Sequence, residues 1–162
     1  MEVLAYSAYG VSCTPDIGGY VKLNGTIVWR SSWCGGYASY RGTNTFLIDP
    51  FECSVKELRR FDTYASSSAA TELSNYLQLV NHGVIIAGVS ADEATQELFN
   101  AFPALQQLGA NVSDVQNRGS FAFVAQKSFP RKTILRKAIT EAESHTQPAG
   151  FDAIITGIDL ML

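Results

Sequence analysis

Tyr20-Val21-Lys22-Leu23-Asn24-Gly25-Thr26-Ile27-Val28-Trp29 is the stretch that decides the fold class. Two runs of β-forming residues flank Asn24-Gly25. A type I′ turn needs φ > 0 at both central positions, which Asn and Gly tolerate, so the stretch predicts an antiparallel hairpin. Outward from it, Val3 to Tyr9 is a short apolar run, and Thr43 to Asp49 is a strand candidate stopped by Pro50. Leu58 to Tyr64 follows, and the first 64 residues read as β. Ser66 to Val80 then places Leu73, Leu77 and Val80 on one helical face. Asn81-His82-Gly83 can end that helix, with Gly83 near the C′ position. Val84 to Val89 reads as a buried strand. Ser90-Ala91-Asp92-Glu93 matches a capping box opening a second helix, which carries Leu98, Ala101, Phe102, Leu105 and Leu108. Pro103 is a point where this helix can divide, and Gly109 closes it. Ser120 to Gln126 is a further strand, Pro130 to Glu143 reads as strand or helix, and Ile154 to Leu162 as a terminal strand. This order predicts an α+β fold with mostly antiparallel sheet.

The chain has 162 residues, which suits one domain spanning 1–162. Apolar residues make up 46% and charged residues 17%, against about 25% charged in typical domains. That is too apolar for disorder. The net charge of −3 argues against nucleic acid as a partner. No run approaches the roughly 18 apolar residues of a membrane-crossing helix. Met1-Glu2-Val3-Leu4 shows no signal peptide, which fits either a cytosolic protein or a secreted one in mature form. Cys13, Cys34 and Cys53 lack metal-ligand spacing, as do His82 and His145. An odd cysteine count in a secreted protein suggests one bridge within the chain plus an intermolecular bridge or free thiol; three buried thiols are the alternative. Asn24-Gly25-Thr26 and Asn111-Val112-Ser113 are glycosylation sequons.

No nucleophile elbow, P-loop, dinucleotide fingerprint or zinc-protease motif occurs, and no carboxylate pair is selected by spacing, so the chain is read as non-catalytic. Trp29, Trp33, Tyr37, Tyr40 and Arg41 instead fall in a Gly/Ser-rich stretch. Aromatic faces cover the C–H face of a pyranose, and Arg and carboxylate groups pair with its hydroxyls. The plainer reading places Trp29 and one Tyr in the core.

Five stretches in order carry a family resemblance: Arg41 to Asp49, Arg60-Phe61-Asp62-Thr63-Tyr64, Gly88 to Glu93, Leu108-Gly109-Ala110, and Arg118 to Val124. Together they resemble the interleukin-like EMT inducer (ILEI)/PANDER domain family over roughly residues 3 to 129. The resemblance implies a compact sandwich of two mostly antiparallel β-sheets flanked by two helices, in secreted or lumenal proteins. In the stem domain of a glycosyltransferase of this family, a β-linked sugar is held at motif positions that match Arg41, Asp92 and Arg118. All three stand at predicted element ends, where loops gather into sites. Trp33, Tyr37 and Asn44 complete the expected ligand-binding set.

Within the family the chain is also similar to galactose-binding lectins of the sea-anemone type. That similarity implies a secreted lectin for terminal β-galactosides such as lactose, acting as a disulfide-linked homodimer; the odd cysteine count offers Cys53 or Cys34 for the link. It also implies a bound calcium, for which Asp92, Glu93 and Asn44 are the candidate ligands. The alternative is a secreted cytokine-like signalling ligand without sugar affinity.

Overall fold

The computed structural model describes residues 3–6, 19–31 and 40–146. Among them, eight strands form two antiparallel sheets. The smaller runs in the order β1 (Val3–Tyr6), β2 (Tyr20–Leu23) and β3 (Thr26–Arg30). Leu23 faces Thr26, and Asn24 and Gly25 have φ of 48° and 79°, the expected I′ geometry. The larger sheet contains β4 (Gly42–Asp49), β5 (Ser54–Phe61), β6 (Ile85–Ala91), β7 (Ser120–Gln126) and β8 (Ile134–Ala138) in the order 5-4-6-7-8. Every neighbouring pair in it is antiparallel. The α+β sandwich expected from the sequence is the observed architecture.

The larger sheet is the middle layer, so its central strands are buried on both faces. Ile86, Phe121, Phe123 and Ala125 pack beneath helices α1 (Ser67–Leu79) and α2 (Phe102–Gln107). Ile85, Ala87, Val89, Ala122 and Val124 face Val21, Leu23 and Trp29 of the small sheet. Two apolar faces turn β6 and β7 into continuous apolar runs, where a half-exposed strand would alternate. Burying each large side chain contributes about 1.5–3 kcal/mol. Gly88 is required between the layers: a Cβ there would stand 2.3 Å from the Phe123 ring. The outermost strands carry cations, Lys56, Arg59 and Arg60 on β5 and Arg136 and Lys137 on β8.

Helix α1 starts where expected, with the Ser66 hydroxyl accepting from the Ala69 N–H. Gly83 has φ of 81°, but it serves a turn after the helix rather than the C′ position; its N–H donates to the Lys127 carbonyl. Pro103 divides the second helical region as expected, with a 3₁₀ turn at Leu98–Ala101 before α2.

Two boundaries differ from expectation. Strand β5 spans Ser54–Phe61 rather than Leu58–Tyr64, because Asp62 to Tyr64 form the turn into α1. No helix opens at Ser90. That residue stays in the ladder opposite Thr43, and its hydroxyl accepts from the Phe121 N–H. A reciprocal capping box occurs instead at Thr140 and Glu143, opening α3 (Glu141–Thr146). The terminal strand expected at 154–162 lies outside the described residues.

Candidate functional site

An antiparallel sheet in the order 5-4-6-7-8 gathers alternate strand ends at each of its edges. At one end meet the close of β5, the start of β4, the close of β6, the start of β7 and the close of β8. Asp62, Arg41, Asp92, Arg118 and Glu141 follow or precede those ends in that order. The result is a row of alternating charge assembled from segments as far apart in sequence as residues 41 and 141.

Gly42 sets the row's spacing at β4. It has φ of 102°, and a Cβ there would lie 2.2 Å from the Phe61 carbonyl, so the chain entering β4 passes hard against the end of β5. Arg41 is thereby delivered to Asp62. Its Nε donates to Oδ1 at 3.1 Å and its Nη2 to Oδ2 at 2.8 Å, a fork-on-fork pair. The guanidinium also lies 4.6 Å from the centroid of the Tyr64 ring. Arg60 reaches the same carboxylate, Nη2 to Oδ2 at 3.2 Å, while its Nε donates to the Arg41 carbonyl. A carboxylate between two guanidinium groups is therefore present, at Asp62. Burial pushes the Asp62 carboxyl up, but the Arg41 hydrogen bonds, the Ala65 N–H and the charges of both arginines outweigh it and hold the group below the usual range. The Asp62 hydrogen bond, with smaller help from the charges of Asp62 and Asp92, raises Arg41 against the cost of its burial. Asp92 is thus close enough to Arg41 to act on it.

Below the row the backbone is pinned by hydroxyls. Thr63 Oγ1 donates to the Ala94 carbonyl at 2.7 Å and lies 3.0 Å from Thr43 Oγ1. Asp92 and Arg118 both adopt left-handed backbone conformations, with φ of 54° and 60°. Such conformations cost a non-glycine residue about 1 kcal/mol and persist only where neighbours hold them. At Arg118 the holder is Glu93. Its Oε1 accepts from the N–H and hydroxyl of Thr95, each at 2.7 Å, and its Oε2 accepts from the Arg118 N–H. The Arg118 guanidinium, half exposed, reaches Glu141 at 3.2 Å.

Of the residues expected to bind calcium, Glu93 does not fit that ion, whereas the buried Oδ1 of Asn44 has no hydrogen-bond partner among the described residues. Glu93 is 5% exposed, and both its carboxylate oxygens already accept from protein donors. Asn44 is fully buried, with its Nδ2 donating to the Tyr40 carbonyl at 2.7 Å. Among the described residues no three His, Cys, Asp or Glu side chains stand close enough together to hold a metal ion.

Trp33, Tyr37, Cys13 and Cys34 lie outside the described residues. Trp29 belongs to the core, edge-on to Tyr40 and Phe46. Cys53 is half-buried and unbridged in the turn between β4 and β5. Two clefts of about 450 and 440 Å³ open elsewhere, the first between β5 and α1 beside Arg59 and Tyr76, the second between Phe51 and His82 at the far end of β4. Sequence reasoning missed Asp62, Arg60 and Glu141. Antiparallel pairing of Thr43 with Phe61 is the signal that places Asp62 beside Arg41, and it becomes readable only with the right limits for β5.

A family model described as interleukin-like EMT inducer (ILEI) matches residues 41–129, more than half of the chain and all of the row but Glu141. The chain belongs to the ILEI family. This ILEI chain is also similar to the human cell migration-inducing and hyaluronan-binding protein, 27% identical over 143 residues. The alignment covers 81% of the chain but only 10% of that relative's length. No helix of the described residues is long and apolar enough to cross a membrane.

Proposed function

We propose that this chain is a secreted, non-catalytic ILEI-type ligand of cytokine-like character, which presents the charged end of its larger sheet to a receptor protein. The observation that carries the reading is the family match over the segment that builds the row, from Arg41 to Arg118. Alternating, partly exposed charges held on a pinned backbone suit a protein surface with the complementary alternation, because they fix register and penalise wrong partners. A cell-migration-inducing relative supports the same direction.

A second reading is favoured by the other half of that relative's name. The row can serve carbohydrate: Arg41, Asp92 and Arg118 would exchange hydrogen bonds with the hydroxyls of a β-galactoside or of a hyaluronan-like polymer, and a homodimer bridged through Cys53 or Cys34 would add avidity.

Saturable binding of the labelled chain to cells separates the two. The receptor reading expects binding to disappear when the cells are treated with protease and to survive hyaluronidase, lactose or a calcium chelator. Binding that resists protease but is lost to hyaluronidase or lactose overturns it in favour of the sugar.

A further inference from the structure

We propose that Asn111 is an acceptor for N-linked glycan; the proposal rests on the secretion part of the reading above. The sequence offers two sequons, and the structure sets them in different surroundings. Asn24 is a central residue of the I′ turn, and Thr26, which completes its triplet, is paired in the hairpin ladder. Asn111 lies outside every strand and helix, in the segment between α2 and β7, and is exposed. Buried Val112 anchors the segment, and Lys137 Nζ donates to the Asn111 carbonyl at 3.2 Å.

The amide of Asn111 is oriented by its own triplet. Its Oδ1 accepts from the Ser113 hydroxyl at 2.7 Å and from the Ser113 N–H at 3.2 Å. Two donors on the carbonyl oxygen leave Nδ2 as the outward atom, with no protein partner among the described residues. In the transfer, Nδ2 attacks the anomeric carbon of an oligosaccharide joined to a lipid pyrophosphate. The N–C bond forms as the C–O bond to pyrophosphate breaks. The lipid pyrophosphate departs with that electron pair, and the Nδ2 proton passes to a base of the transferase. The attached sugar then projects into solvent without disturbing either sheet.

The test is secretion of the full chain from animal cells behind a heterologous leader, with mobility read before and after peptide N-glycosidase. The expected result is a shift in the wild type, N24Q and S113T, and none in N111Q or S113A. S113A keeps the asparagine, so it gives the same answer if N111Q is poorly secreted. A secreted wild type without the shift, or a shift kept in N111Q and lost in N24Q, overturns the site. Native protein recovered from the cytosolic fraction instead removes the secretion reading, and the site with it.

Discussion

One carboxylate at Asp62 receives two guanidinium groups and the Ala65 N–H, so its removal strands more than one partner. Asp62→Ala is expected to cost about 1 kcal/mol, the scale of a half-exposed charged network, read as a lower urea midpoint. The sign with pH follows from its depressed titration. The carboxylate stabilises the fold at pH above the ordinary carboxylate range, and that contribution disappears as pH falls through the lower folded value. The urea midpoints of wild type and Asp62→Asn should therefore converge on acidification; a constant gap would show that charge is not the cause. Glu93 is the harsher case. Glu93→Ala orphans the N–H groups of Thr95 and Arg118 below the surface and should cost about 2–3 kcal/mol, whereas Glu93→Gln, which keeps an acceptor, should cost less. Arg41, Asp92 and Arg118 were legible in the sequence as residues of element ends. Asp62 was not, since nothing in a linear reading ties it to a residue 21 positions away.

Between strands β6 and β7, Gly88 and Phe123 face each other, and the absent side chain of one makes room for the ring of the other. Gly88→Ala should destabilise by about 1–3 kcal/mol through overpacking, and Phe123→Leu in the same chain should recover part of the loss, measured as a double-mutant cycle. Additive losses would place the strain elsewhere. The same strands explain what was readable. The Asn24-Gly25 hairpin, β7 and α1 follow from local chemistry: a turn dipeptide, an apolar run and a spaced apolar face capped by Ser66. The limits of β5 do not, because an outermost strand is wet on one side and its Lys56, Arg59 and Arg60 mask the pattern. Ser90 misleads for the opposite reason. Its hydroxyl is a good cap in isolation, but a buried ladder position offers it the Phe121 N–H, and tertiary structure wins.

At the scale of the whole molecule, the charged end and the apolar layers are separable, because the row lies on the loops beyond the sheet. Arg118→Ala removes a half-exposed ion pair and should change stability by less than about 1 kcal/mol, while lowering cell binding at least about tenfold if the row is the contact surface. Binding should also weaken as salt rises, as expected for steering by exposed charge. An unchanged affinity of Arg118→Ala would move the contact surface away from this end. The positive side chains on the two outer strands have their own consequence. Lys56, Arg59, Arg60 and Lys137 are held by carboxylates of their own copy, Glu52, Glu57, Asp62 and Asp114, so two copies approaching flank to flank would have to rearrange these ion pairs before lengthening into a continuous ribbon. Charged pairs along both flanks thereby oppose edge-to-edge growth, and concentrated salt, by loosening those pairs, weakens that opposition.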